Sequence, residues 1–176
     1  RGARDAGAMS LRIITVGIAA EVDVVNARQR AREVATLCGF AQQDQVRIAT
    51  SVSELARNVF NYAGKGKVEF SVEDSARSQL LQIRIEDQGP GIRNLDLVLS
   101  GRYMSQTGMG LGILGARRLM DRCDIETVPG KGTTIILQKL IPAGARRVTA
   151  QDVGELCNRR AAAAPEDMLG ELRQQN

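Results

Sequence analysis

Two stretches of this chain, KVEFSVED (Lys67–Asp74) and LLQIRIED (Leu80–Asp87), alternate apolar and polar residues, and only SARSQ separates them. A period of two puts every second side chain on one face of a strand, and so short a link makes the two runs an antiparallel hairpin. CDIETV and TTIILQKL, joined at PGKG, repeat the pattern further along. Two hairpins exclude a doubly wound parallel sheet, which needs a long crossover between consecutive strands. LRIITVGI reads as an opening strand. It follows basic residues and faintly resembles a secretion signal, but Thr15 and Gly17 break its apolar run. No segment approaches the roughly 18 apolar residues of a membrane span.

The other runs have helical spacing. Val24, Ala27, Ala31 and Val34 recur on one face between Glu21 and Cys38, with Gly39 as the stop. A second helix is expected from about Asp44 to Ala63. Its apolar stripe is Ile48, Val52, Leu55, Val59 and Tyr62; beside it runs a polar one, Arg47, Ser51, Glu54, Asn58 and Asn61. NLDLVLS reads as a short helical turn in a polar segment, and the glycine-rich TGMGLGILGARRLMD as a third helix. The predicted order is β-α-α-β-β-α-β-β. The expected fold is an α+β two-layer sandwich: helices on one face of a mixed or antiparallel sheet, the other face toward solvent or a partner.

Residues 9–142 carry this pattern, and 1–8 precede it as an N-terminal extension or an expression remnant. From 143 onward the character changes. AGARR is a linker, Thr149 caps a helix with Asp152 in the capping-box position, and AAAAP is expected to interrupt it. Pro165 suits the first turn of a restarted helix, which leads toward a further module.

Composition removes several chemistries. The chain has 176 residues, a net charge of +4 and no histidine. That excludes a Ser-His-Asp triad, an H-R-D kinase loop and any phosphohistidine in this chain. Cys38, Cys123 and Cys157 lack zinc-ligand spacing; they read as reduced thiols of a cytoplasmic protein. The arginine clusters have no interleaved aromatics, so they read as solvated faces and not as a nucleic-acid platform.

Thr107–Gly115 holds four glycines at the start of a helix, where each costs about 1 kcal/mol relative to alanine. A dinucleotide fold fails, because polar SGRYMSQT precedes the glycines where a buried strand is required. A Walker loop fails because Gly132, not Ser or Thr, follows Lys131. Glycines at a helix start let an anion approach unpaired amides, so a polyphosphate site is one reading. Close packing of this helix on another is the alternative. Three neighbours favour the first. Asp87 leads into Gly89-Pro90-Gly91, where a carboxylate can accept from an exocyclic amine. Glu54 and Asn58 share a helix face, where an amide oxygen suits Mg²⁺ and a carboxylate can orient a hydroxyl. Thr133 and Thr134 open the last strand, where a hydroxyl can reach a base.

In order, SELARNVFNYAGKGKVEF, EDQGPGI, TGMGLGILGARRLMD and ETVPGKGTTI resemble the Bergerat-fold (GHKL) ATPases, most closely the RsbT-type serine/threonine switch kinases. The resemblance covers about residues 11–140. It implies ATP and Mg²⁺ as cofactors, Glu54 as general base and Asn58 as magnesium ligand. It further implies Asp87 as the adenine-reading carboxylate, Gly89, Gly91 and Ile92 around the base, and Thr134 beside it. Thr107, Gly108, Gly110, Leu111 and Gly112 would cradle phosphate, and Arg102 and Ser105 would close over it from a lid between Asn94 and Thr107.

The same resemblance implies γ-phosphoryl transfer from Mg-ATP to a STAS-domain (anti-anti-sigma-type) partner in stress or sigma-factor regulation. A sigma factor, a downstream phosphatase or kinase module, and a second copy are further implied partners; nucleic acid and membrane are not. The alternative is an anti-sigma-like module that binds nucleotide and partner without transfer, at the head of a larger signalling protein. A DNA-linked ATPase of the gyrase or MutL kind is a third reading, which salt-dependent DNA binding would reveal.

Overall fold

The computed structural model describes residues 9–74, 77–93, 95 and 109–174, without the side chains of 109–111 and 163–174. The expected helical turn at NLDLVLS, apart from Leu95, lies outside the described residues. So do Arg102, Ser105, Thr107 and Gly108. Two units divide after Arg146.

In the first unit, β1 (Met9–Ile18) is followed by α1 (Glu21–Leu37) and α2 (Gln42–Ala63). The hairpin β2 (Gly66–Asp74) and β3 (Gln79–Asp87) comes next, then α3 (Met109–Leu119) and the hairpin β4 (Arg122–Val128) and β5 (Gly132–Leu140). The element order is as predicted. One five-stranded sheet forms in the order β1-β2-β3-β5-β4. Its four pairings are all antiparallel, which selects between the mixed and antiparallel alternatives. The two hairpins meet where β3 pairs with β5, with Asp87 opposite Thr133.

Alternation decides which side of the sheet is core. Val68, Phe70 and Val72 of β2 and Leu81, Ile83 and Ile85 of β3 are buried. Their neighbours Glu69, Arg84 and Glu86 lie on the open face, where they enter ion pairs with Arg12, Lys67 and each other. Covering one face with helices and solvating the other is the usual solution for an antiparallel sheet.

Alanines set the helix spacing. Ala27, Ala31 and Ala35 of α1 and Ala49 and Ala56 of α2 are almost fully buried, and small side chains let two helix axes approach closely. Of the predicted stripe on α2, Ile48, Val52, Leu55 and Val59 are buried, and Tyr62 at its end is exposed. Asp23 fixes the start of α1 by accepting from the backbone N–H of Ala19 and Ala20, both at 2.9 Å. Gly39, at φ 81°, follows its end as predicted.

The second unit, Arg147–Asn176, carries α4 (Ala150–Gln174). The capping box is as expected: Thr149 Oγ1 accepts from the Asp152 N–H at 3.2 Å, and Asp152 Oδ2 accepts from the Thr149 N–H at 2.9 Å. The expected interruption at AAAAP is corrected, because one helix runs through Pro165. Alanine is the residue that costs a helix least, so the run before the proline is itself strongly helical, and the helix continues despite the bond and space that proline takes from it. No described helix is long and apolar enough to cross a membrane.

Candidate functional site

The site lies where α2 crosses the end of the sheet that holds the β3–β5 junction. A cavity of ≈ 50 Å³ there is lined by Leu55, Asn58, Val59 and Tyr62 of α2, and by Ile85 and Asp87 of β3. Pro90, Gly91 and Ile92, Ile113 of α3, and Thr133 and Ile135 of β5 complete it. At about 10–15 Å³ per water centre that is room for a few waters, so a larger ligand must widen it. Its walls are mostly apolar, and four residues with polar groups interrupt them: Asn58, Tyr62, Asp87 and Thr133. Apolar walls with a few placed polar groups are what a flat heterocycle needs.

The end around Asp87 is tied by hydrogen bonds. Asp87 Oδ1 accepts from the Gly89 N–H at 2.9 Å, which orients the carboxylate. The Ile92 N–H donates to Thr127 Oγ1 at 2.7 Å, and that hydroxyl lies 3.0 Å from Thr133 Oγ1. The Gly130 N–H donates to the Pro90 carbonyl at 2.8 Å, joining the β4–β5 turn to the loop after β3. Gly91 adopts φ 75°, and a side chain there would come within 2.6 Å of the Val128 carbonyl oxygen, so only glycine fits.

The other end is held by packing. A Cβ on Gly112 would sit 3.2 Å from Glu54 Cβ, 3.3 Å from its Oε2 and 3.8 Å from Asn58 Nδ2. That contact brings the first turns of α3 against the polar stripe of α2. Among the described residues, neither Glu54 nor Asn58 makes a side-chain hydrogen bond or ion pair.

The sequence-predicted residues divide accordingly. Asn58, Asp87, Gly91 and Ile92 line one cavity, and Glu54 is adjacent through Gly112. Three assignments change. Thr134 pairs with Glu86 and Glu126, on the face of β5 away from Asp87, whereas Thr133 pairs with Asp87 and lines the cavity. Adjacent strand residues face opposite sides, so a one-residue shift moves the hydroxyl through the sheet. Gly89 lies outside the lining; a side chain there would meet Ala63 at 2.5 Å, so it seats the end of α2. Gly112 is buried inside α3, so at this glycine close helix packing prevails over an exposed amide cradle. Gly110 and Leu111 fall in the first turn of α3, where backbone amides lack helical partners. Thr127 is the residue that sequence reasoning missed, and of the adjacent pair Thr133 and Thr134 it assigned the one on the wrong face. The signal that separates them is the pairing of β5 with β3 and β4, which brings Thr133 opposite both Asp87 and Thr127.

A bound metal fits only in a particular way. Among the described residues no three His, Cys, Asp or Glu side chains cluster as a cation cage. Mg²⁺ characteristically takes one or two protein oxygens and fills its octahedron with water and phosphate. The Asn58 side-chain oxygen, at the cavity wall one turn from Glu54, suits that arrangement.

Comparison with known proteins bears on the same region. Residues 43–143 match the model of the histidine kinase-, DNA gyrase B- and HSP90-like ATPases. The serine/threonine-protein kinase RsbT of Bacillus subtilis is 43% identical over 120 residues, 68% of this chain and 90% of that protein. An anti-sigma F factor of Clostridium kluyveri is 30% identical over 98 residues, 53% of this chain and 68% of the relative. That of Bacillus licheniformis is 33% identical over 101 residues, 52% of this chain and 66% of the relative.

Proposed function

The chain belongs to the histidine kinase-, DNA gyrase B- and HSP90-like ATPases and is a serine/threonine kinase of the RsbT type; we propose that it moves the γ-phosphoryl of Mg-ATP to a hydroxyl on a STAS-domain regulator of a sigma-factor pathway. One observation carries this reading. Asn58 belongs both to the cavity that holds Asp87 and Thr133 and to the contact where Gly112 packs on Glu54. Base recognition, magnesium and proton acceptor then follow one another along a single cleft.

Each residue has a role that its surroundings support. Asp87, with Oδ1 engaged by Gly89, offers Oδ2 to the exocyclic amine of adenine. The Thr133 hydroxyl, oriented by Thr127, serves the ring edge. The largely apolar walls exclude water from the base. Asn58 would hold Mg²⁺, which neutralises phosphate charge and aligns the γ-phosphoryl. The first amides of α3 face the same charge with the positive end of the helix dipole.

Glu54 takes the proton of the accepting hydroxyl as its oxygen bonds to the γ-phosphorus, and the bond to the β-bridging oxygen breaks to release ADP. Such transfer depends on positioning and charge stabilisation more than on covalent help.

Label transfer from γ-³²P-ATP to STAS-domain proteins of the same genome tests the reading. Glu54→Ala should slow transfer about 10²–10⁴-fold and spare nucleotide affinity; Asn58→Ala should remove the magnesium dependence of binding. Transfer at the parent rate by Glu54→Ala would remove the base assignment. The named anti-sigma relatives support a second reading, nucleotide-dependent capture of a partner without transfer. It predicts a stable complex and no label.

A further inference from the structure

A second depression borders Glu54 from the other side. It is a groove of ≈ 510 Å³ between α2 and α3, lined among others by Arg47, Thr50 and Glu54 of α2 and Gly115, Arg118 and Leu119 of α3. The nucleotide cavity takes its α2 residues from Leu55 to Tyr62, and the groove takes its own from Val46 to Glu54. Glu54 therefore stands at the junction, with the cavity on one side and the groove on the other. In-line displacement brings the accepting hydroxyl from the side opposite the leaving group. With the base in the cavity and its phosphates running toward Glu54, as the transfer reading has it, the groove beyond Glu54 would be on that side.

Two features say what fits. Arg47 and Arg118 are exposed, and among the described residues neither lies within ion-pair distance of an acidic group. Gly115 is exposed, and a side chain there would meet nothing within 4 Å, so the groove is open where α3 could have filled it.

We propose that this groove seats an acidic segment of the protein substrate beside its accepting hydroxyl, with Arg47 and Arg118 as docking guanidiniums. The inference rests on the transfer reading above. Arg47 lies seven residues before Glu54, about 10 Å along the helix axis. The substrate's acidic side chain then sits about that far from its hydroxyl, three residues away in an extended segment at ~3.3 Å each.

The test uses the STAS-domain protein that accepts label from the parent chain, with KM and kcat measured at low and high salt. Gly115→Leu fills the groove without touching the cleft, and Arg47→Glu/Arg118→Glu reverses its charge. Each should raise KM for the protein substrate about tenfold or more and leave ATP affinity within about twofold, as loss of a complementary surface does. The parent KM should rise with salt, whereas that of the double variant, whose groove repels the segment, should fall. Should Gly115→Leu fail to fold, the charge-reversed chain carries the test alone. No label from the parent chain overturns both the transfer reading and the groove. Label from the parent, with both variants at the parent KM, overturns the groove alone.

Discussion

The two ends of the cleft are built differently. Around Asp87, hydrogen bonds from Gly89, Ile92, Thr127 and Gly130 tie three chain segments into one frame. Around Glu54, a glycine packs on a side chain, and no hydrogen bond fixes either Glu54 or Asn58 among the described residues. A frame that must recognise a flat base profits from preorganised donors and acceptors, because no ordering remains to be done on binding. On the proposed reading the other end admits phosphate, metal and a second protein in turn, and van der Waals contact yields where a hydrogen-bonded frame would not. On that reading, widening of the cavity for a nucleotide falls on the α3 side, where Ile113 lines it and Gly112 packs on Glu54.

Substitutions at the two ends should separate this difference. Asp87→Asn replaces an acceptor with a donor facing an amine; it should weaken ATP affinity most, by about 2–3 kcal/mol or 30–150-fold. Calorimetry should record that loss with melting nearly unchanged. Gly112→Leu overpacks the contact with Glu54, costing about 1–3 kcal/mol of stability, and should depress transfer more than nucleotide affinity. If it depressed both equally, the two ends would not be separable.

Thr133→Val and Thr134→Val sharpen the frame itself. Loss of one hydrogen bond, about 1 kcal/mol, should weaken ATP roughly fivefold in the first and leave the second at parent affinity. The reverse order would restore Thr134 to the cavity.

The smallest effect lies away from both ends. Burial pushes the Cys38 thiol up to about 12 from 9.0. The unfolded chain ionises first, so this contribution to stability is fully present below about pH 9 and falls as pH rises toward 12. Denaturant midpoints should decline over that window in the parent and more shallowly in Cys38→Ala.

What the sequence disclosed follows from how far each signal reaches. The stripe on α2, the two hairpins and the Thr149–Asp152 box were legible because periods of 3.6 and 2 and a three-residue cap are local. The face of Thr133 was not. Two threonines in succession look alike until β5 is paired with β3, and the pairing brings Asp87 opposite the first. Gly112 was equally opaque, because the side chain it must clear, Glu54, belongs to a helix far back in the chain. The bond from Gly130 to Pro90 joins two turns that each read alone as an ordinary turn. At Pro165 a strong local breaker was overridden by the helix around it.

Calorimetric titration of ATP into the full chain, with and without magnesium, tests most directly that one cleft runs from Asp87 to Asn58. Saturable one-site binding that weakens in Asp87→Asn, and loses only its magnesium dependence in Asn58→Ala, is the predicted result. Absence of binding, or binding indifferent to both substitutions, would contradict it.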